Sequence, residues 1–389
     1  MKKFLSLFKK KSRIVIGVLS GTSVDGVDTV LLKIRGNGIN TRIEVLDFES
    51  YPIKKGLKDF ILKCSSINTG NAENICKLNF LIGHLFAHSI KKLITRNNLS
   101  TNDIDLIGSH GQTIYHYPLN HKLFSFNSKS TLQVGDISVI SNLTGITTAG
   151  DFRTADISVN GDGAPLVPYL DYILFSSRSC NRVLVNIGGI SNITFLKRSG
   201  TENDVKAFDS GPGNMIMDYL TKKFFNRKFD KDGRIASKGK IDPVLFKMIC
   251  KKDRFYRKTP PKSTGREYYS ENFIDDLLRS SGKILPEDIL ATFTYFTAYS
   301  IHHNVKKFSP DEIIISGGGS RNKTLMNFIK DLFKNTMVKL IDMNGINPDN
   351  KEAVLFAVLA NELISGNKTN MPSVSGSDRK VYLGKISIQ

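Results

Sequence analysis

IVIGVLSGTSVDGVDTVLLKI, residues Ile14 to Ile34, sets a polar, glycine-bearing turn between two runs rich in β-branched residues. That pattern reads as strand, turn, strand. Asp25-Gly26 within it is a strong two-residue hairpin signal. Gly21, Thr22 and Ser23 just before it supply the amides and hydroxyls that a phosphate-facing loop would use. Both readings of the turn stay open until the rest of the chain is considered. The theme returns near the middle of the chain in RVLVNIGGISNITFL, Arg182 to Leu196, where Gly188-Gly189 separates two further β-branched runs. A third strand, DEIIISGGGSRN at Asp311 to Asn322, ends in Gly317, Gly318 and Gly319.

Helical spacing fills the intervals between these strands. Ile75, Leu78, Ile82, Leu85, Ser89 and Leu93 recur at the helical period and predict an amphipathic helix over Ile75–Asn98. DIDLIGSHGQT, Asp103 to Thr113, reads as a short buried strand running into a glycine turn. ILATFTYFTAYSIHHNV, Ile289 to Val305, predicts an apolar helix, and EAVLFAVLANELI, Glu352 to Ile364, a closing one. Alternating strands and helices mean an α/β protein. Two similar openings about half a chain apart predict two related lobes, over 1–150 and 151–389. The connection GDFRTADISVNGDGAPLVP, Gly150 to Pro168, has the Gly, Asp and Pro content of a cleft-lining segment, and the closing helix is expected to pack back toward that cleft.

Composition narrows the class. The 389 residues are 40% hydrophobic and 23% charged, an ordinary folded composition with length for two domains. Cys64, Cys76, Cys180 and Cys250 are scattered without C-x-x-C spacing, which suits a reducing cytosol and opposes both a disulfide framework and a zinc site. The opening MKKFLSLFKKKSR is basic, but its apolar run is too short for a secretory signal. Cytoplasmic location without membrane insertion is therefore expected. A net charge of +19 raises the question of nucleic acid, yet lysines are spread along the chain in pairs such as Lys91-Lys92 and Lys306-Lys307. No basic stripe or nucleic-acid module accompanies them, so no nucleic-acid partner is expected. A positive field also attracts an anionic small substrate such as a nucleotide.

The glycine turns carry the chemistry. No G-x-x-x-x-G-K-[ST] occurs, and no G-x-G-x-x-G follows the first strand, so neither a Walker-type nor a dinucleotide site is expected. Instead, the turns at Ser20–Asp28 and Gly188–Asn192 offer two phosphate hairpins, and Gly317–Gly319 a flat backbone surface for a base or ribose. Three such turns at strand ends of an α/β chain point to one ligand region, because ligands gather at the carboxyl ends of strands.

GVLSGTSVDGVD, GSHGQT, GDFRTADISVNGDGAPLVP, NIGGISNIT, FDSGPGNMIMD, PPKSTGREYY and SGGGSRN, in this order from about Ile14 to Leu383, resemble anhydro-N-acetylmuramic acid kinases. These belong to the superfamily of actin, heat-shock ATPases and sugar kinases. The resemblance implies a two-lobed actin-like (ribonuclease H-like) sugar kinase fold with ATP and Mg2+ in the interlobe cleft, and suggests a homodimer. It implies hydrolytic opening of a 1,6-anhydro sugar with transfer of the ATP γ-phosphoryl to the freed O6, a step of cell-wall recycling.

Asp209 in FDSGPGN would be the general base for the attacking water, its alternative being an N-cap or turn aspartate that stabilises Gly211-Pro212-Gly213. Gly21, Thr22, Ser23, Val24, Asp25, Gly26, Val27 and Asp28, together with Gly188, Gly189, Asn192, Gly317, Gly318, Gly319 and Asn322, would bind nucleotide. Asp25 or Asp28 would approach Mg2+, directly or through water; the sequence does not choose between them. His110, Gln112 and Arg153 are suited to the sugar, Arg153 pairing its carboxylate bidentately. Glu352 would bind a hydroxyl, or serve only as a first-turn helix acid. Asp151 and Asp156 are second partners or simple turn residues.

Some residues depart from the family pattern or stand outside it. Leu19 replaces a methionine, Asn160-Gly161-Asp162-Gly163 stands where a Gly-Gly-Gln-Gly string is usual, and Thr154 follows Arg153 where relatives carry further arginines. Those changes are expected to alter substrate contacts more than the reaction. His84 and His88 have a metal-like spacing but no third ligand, and read as a structural pair. His302 and His303 read as one packed and one solvated residue, and Cys180 as a passive small residue. PKSTGRE, Lys262 to Glu267, has no assigned role. The rival functions are a kinase of another sugar on the same fold and a non-catalytic nucleotide or muropeptide sensor.

Overall fold

The structure, a computed structural model, describes residues 2–265 and 267–389. Met1, in the basic opening, and Arg266, inside PKSTGRE, lie outside the described residues. The chain forms two compact units, Met1–Leu174 with Asp342–Gln389 (unit 1) and Phe175–Ile341 (unit 2). Each is a mixed α/β unit built on one sheet.

Unit 1 contains β1 (Ser12–Ser20), β2 (Gly26–Arg35), β3 (Arg42–Pro52), β4 (Leu106–Leu123), β5 (Phe126–Val134) and β6 (Thr148–Gly150). Unit 2 contains β7 (Arg182–Ile187), β8 (Ile190–Leu196), β9 (Lys206–Pro212), β10 (Glu312–Ser316) and β11 (Met337–Leu340); β12 (Lys385–Ser387) returns to unit 1. The two sheets share one plan. In unit 1 the order is β12-β6-β4-β1-β2-β3, with β1, β2 and β3 antiparallel and β4 and β6 parallel to β1. In unit 2 it is β11-β10-β7-β8-β9, with the same antiparallel trio and the same two parallel partners. The repeated strand–turn–strand of the sequence thus opens each sheet.

The helix predicted from Ile75 forms over Ala72–Arg96 and packs Leu78, Ile82 and Phe86 on Ile16, Val18 and Ile107. In unit 2 the apolar helix Pro286–Val305 buries Phe293 and Phe296 against a core that includes Val183, Val185 and Ile313. The expected boundary at 150/151 is displaced, because the last segment of the chain completes unit 1. Helix Lys351–Ile364 lies on β1, β4 and β2, and β12 pairs with β6.

That helix sits where side chains are absent from the sheet. Alternation along a strand sends Gly17 to the face opposite Ile16 and Val18. Gly108 is its register partner on β4. A Cβ on Gly17 would run into the carbonyl of Ala353, and one on Gly108 into that of Phe356. The two glycines let the backbone of helix Lys351–Ile364, and Glu352 at its start, approach the sheet. Gly108→Ala is expected to cost about 1–3 kcal/mol, the range for overpacking a fitted core. A lowered urea midpoint at unchanged slope checks it.

The strand expected to stop at the SHGQT turn instead continues as β4 to Leu123 and pairs with β5. Gly111, at φ +79°, does not end the strand. Val18 pairs with Ser109 and Leu19 with Gly111, so His110 is the extra residue of a β-bulge. Bulges re-aim a side chain without ending the ladder, and here the re-aimed side chain is His110.

Candidate active site

The β1–β2 connection in unit 1 is a tight loop over Gly21–Asp25, with the Val24 N–H donating to the Gly21 carbonyl at 3.1 Å. Asp25-Gly26 is not a two-residue turn, since Gly26 already opens β2 opposite Pro52. Val24 has φ +53° and a side chain buried in the core. A β-branched residue there is strained, and the contacts of Val24 in the core it shares with Val27 and Ile53 hold it. Val27 likewise sends its side chain inward. Thr22 and Ser23 remain exposed, and a Cβ on Gly21 would meet nothing within 4 Å. The Ser20 hydroxyl beside them is buried and, among the described residues, has no hydrogen-bond partner.

The two aspartates of this turn differ in surroundings. Asp25 forms an ion pair with Lys58 at 2.5 Å. Asp28, on β2, accepts from the Ser50 hydroxyl at 2.6 Å. Burial lifts its carboxyl above the usual range; Ser50 opposes this and the charge of Asp349 adds to it.

Gly21, Thr22, His110, Arg153, Glu352 and Phe356 line one cavity of about 170 Å³ in unit 1. Arg153 Nε donates to His110 Nε2 at 2.9 Å, and its Nη1 to the Gly163 carbonyl at 2.7 Å. His110 Nδ1 lies 3.2 Å from the Gly111 carbonyl. A nitrogen that accepts from arginine and one that faces a carbonyl define a neutral ring protonated at Nδ1. Burial, then the positive charge of Arg153, keep His110 well below its ordinary pKa. Its ring stacks on Phe356 with centroids 4.5 Å apart.

Burial draws the Arg153 guanidinium down to about 10, opposed by Glu352. The Glu352 side chain is exposed at the cavity, but its carboxyl is raised, first by loss of surrounding water and then by Asp28. Neighbouring Lys351 anchors this helix start through an ion pair with buried Asp171 at 2.5 Å. Gln112 is buried, with Nε2 on the carbonyls of Gly21 (3.4 Å) and Thr113 (3.2 Å). Its Oε1 has no partner among the described residues.

In unit 2, Gly188-Gly189 is a two-residue connection between β7 and β8. The Gly188 carbonyl accepts from Asn214 N at 2.7 Å, and that of Gly189 from Gly213 N (2.9 Å) and Met215 N (3.3 Å). These bonds satisfy the orphan amides at the start of helix Asn214–Phe225. Asn186, Asn192 and Asp209 form one cross-strand row over β7, β8 and β9.

Gly317 and Gly319 pack against Ile187, so of the three glycines only Gly318 opens to space. Gly318 lines a cavity of about 400 Å³ with Met217, Asp218, Phe229, Lys231 and Asn322. Asn322 also caps helix Lys323–Leu332 through Leu325 N at 3.0 Å. Met217, Asp218, Phe229 and Lys231 were not legible as lining residues. Asp218 follows FDSGPGN on the helix that string initiates, and burial pushes its carboxyl up to about 6.

Asp209 sits on β9, just before a second bulge at Ser210. Its Oδ2 accepts from Ser263 Oγ (2.9 Å) and Thr264 N (2.8 Å). It is therefore not the cap of helix Asn214–Phe225, whose N-cap is Gly213 without a side-chain bond. Burial raises its carboxyl above the ordinary range, with Thr264, Ser263 and Lys262 opposing and Glu267 adding. A base needs that direction of shift while remaining ionised at neutral pH.

The family model for anhydro-N-acetylmuramic acid kinase matches residues 13–389. The chain is 44% identical over 397 residues, covering 100% of both sequences, to the "Anhydro-N-acetylmuramic acid kinase" of Caldanaerobacter subterraneus subsp. tengcongensis. The chain belongs to the anhydro-N-acetylmuramic acid kinase family. The kinase of that name from Clostridioides difficile is 41% identical over 377 residues, with 96% of this chain and 97% of the relative covered. Among solved structures, component A of (R)-2-hydroxyglutaryl-CoA dehydratase from Acidaminococcus fermentans is similar at TM-score 0.45 and 10% identity, covering 91% of this chain and 99% of that one.

The departures from the family strings have local explanations. Asp162, where a family amide is usual, pairs with Lys129 at 2.5 Å, and Lys129 also donates to the Asn160 carbonyl. Asp156 is buried and receives the Gly163 N–H at 2.9 Å. The Asn160–Gly163 loop thus presents the carbonyl that holds Arg153. Thr154 is exposed and donates to Asp151. His84 and His88 lie on the exposed face of their helix, and no group of three metal-ligating side chains gathers among the described residues. His302 and His303 are not one packed and one solvated: both are half-buried, against Phe333 (4.8 Å) and Tyr256 (5.1 Å).

Proposed function

We propose that this kinase opens 1,6-anhydro-N-acetylmuramic acid with water and transfers the γ-phosphoryl of ATP to the freed O6. Family membership over nearly the whole chain supports the substrate pair. The observation that carries the mechanism is Asp209, a carboxylate that among the described residues is held through Oδ2, by Ser263 and Thr264. Asp209 Oδ1 accepts the proton of water as its oxygen bonds to the anomeric carbon. The C1–O6 bond breaks, and O6 attacks the γ-phosphorus as ADP leaves.

Arg153 would orient the sugar's carboxylate with the N–H groups not committed to His110 and Gly163. Gln112 Oε1 and Glu352 would accept from its hydroxyl and amide groups. Thr22, Ser23 and the open Gly21 turn in unit 1, and the Gly188-Gly189 turn in unit 2, would bind phosphates, while the cavity beside Gly318 has room for the nucleoside. The unpartnered Ser20 hydroxyl and the space over Gly21 fit an anion. Mg2+, when bound, would neutralise charge on the transferring phosphates. Asp28, among the carboxylates of Glu352 and Asp349, suits such a cation better than Asp25, whose charge Lys58 already compensates.

A homodimer working in the cytoplasm belongs to the same proposal. The free cysteines suit a reducing compartment, and light scattering giving a monomer mass would remove the dimer. The function itself is tested by ADP release. Turnover should require the anhydro sugar and fail with N-acetylglucosamine; equal rates on both would mean a kinase of another sugar.

A further inference from the structure

PKSTGRE, the string left without a role, runs beside Asp209. The Asp209 N–H donates to the Lys262 carbonyl at 3.2 Å, and the next two residues, Ser263 and Thr264, donate to Oδ2. Lys262 itself is buried at 9% exposure. Its ammonium donates to the carbonyls of Phe255 (3.3 Å) and Tyr256 (3.0 Å) and to Asn304 Oδ1 (2.9 Å). The N–H groups of the same two residues turn the other way. Phe255 N (2.7 Å) and Tyr256 N (3.4 Å) donate to Asp253 Oδ1, while the Tyr269 hydroxyl donates to Oδ2 at 2.9 Å. Asp253 is fully buried.

One short stretch of backbone is therefore gripped from both sides by opposite buried charges, a carboxylate on its amides and an ammonium on its carbonyls. Asn304, on helix Pro286–Val305, joins this grip to β9 by donating to the Ser210 carbonyl at 3.1 Å. A buried charge with its hydrogen bonds satisfied holds one geometry, since any displacement strands it. The segment that grips Asp209 is thus fixed before substrate arrives.

We propose that the Lys262–Thr264 segment, locked by the buried Lys262 and Asp253 grip, is the positioning device of the general base. Ser263 and Thr264 hold Oδ2 and leave Oδ1 directed to the water, and Ser263 keeps the carboxylate ionised. Ser263 and Lys262 are positioning residues, because both act through Asp209. This inference rests on Asp209 being the base.

Among the described residues, the charged and titratable groups around Asp209 are Lys262, Glu267 and Tyr269. A hydroxyl donating to a carboxylate stabilises its ionised form, so its removal raises the pKa. A base works ionised, so activity is lost as pH falls through that pKa. Its acid limb must then move to higher pH.

The test is the pH profile of kcat for wild type, Ser263→Ala, Ser263→Thr and Lys262→Met, with Asp209→Asn run alongside. Ser263→Ala should shift the acid limb upward by about one pH unit, with both KM values within about twofold. Ser263→Thr, which keeps the hydroxyl, should restore the limb. Lys262→Met, where circular dichroism shows it folded, should lower kcat about tenfold or more at unchanged ATP KM. An acid limb that stays in place in Ser263→Ala overturns the proposal, whatever happens to the melting temperature. If Asp209→Asn retains wild-type turnover, it is the assignment of the base that fails, a different result from an unmoved limb over an inactive Asp209→Asn.

Discussion

Asp209→Asn is expected to lower kcat by about 10²–10⁴-fold, the range for losing a general base, with KM for ATP and sugar little changed. The expectation comes from the two donors on Oδ2. Ser263 and Thr264 each present a hydrogen to that oxygen. An asparagine can satisfy them only by turning its carbonyl toward them, which leaves its NH2 where Oδ1 stood. An amide nitrogen cannot accept the water's proton. The fold should not suffer. Asp209 is raised in the folded state, first by burial. A raised carboxyl contributes stability at low pH that is lost as pH rises through its folded-state pKa. At neutral pH its charge is a cost, so Asp209→Asn should melt at the wild-type temperature or slightly above. A kinetic loss accompanied by a large drop in melting temperature would instead assign Asp209 to structure.

Arg153→Met is expected to raise KM for the sugar about 30–100-fold while leaving KM for ATP unchanged, as loss of a charge-assisted pair with a carboxylate predicts. Arg153 has two of its donors engaged inside the protein, Nε on His110 and Nη1 on the Gly163 carbonyl. Arg153 lines the cavity with Glu352 and Thr22, and its other N–H groups are the ones left for a ligand there. Methionine fills similar volume but leaves His110 Nε2 without its donor, a further stability cost of about 1–3 kcal/mol. Arg153→Lys should rescue poorly, because a single ammonium cannot reproduce a planar fork. A sugar analogue lacking the carboxylate separates the two effects. Wild type and variant should bind it with similar affinity if Arg153 acts on that group.

Local signals in the chain reported the parts of this arrangement that are themselves local. Gly21, Gly188 and Gly318 stand at or just after strand ends, as the β-branched runs before them indicate. The repeated strand–turn–strand anticipated two sheets of the same plan. What stayed hidden depends on contacts between distant segments. Ser263 and Thr264 meet Asp209 from more than fifty residues away, and their string has no periodicity to betray it. Met217 and Phe229 line a cavity only because one helix face and the loop after it turn toward Gly318. The displaced boundary has the same origin, since nothing within EAVLFAVLANELI says that Gly17 and Gly108 wait for it on a sheet begun by residue 12. His110 was legible as a polar residue at a strand end. The bulge that turns it toward Arg153 was not, because Gly111 there reads equally well as a stop.

Product identity tests the proposed reaction most directly. With ATP and 1,6-anhydro-N-acetylmuramic acid, phosphorus and proton NMR should show one new sugar phosphate coupled to the C6 protons. A reducing anomeric centre should appear with it, mole for mole with ADP. ADP without a sugar phosphate, or a phosphorylated product that still contains the anhydro bridge, would contradict coupled opening and transfer.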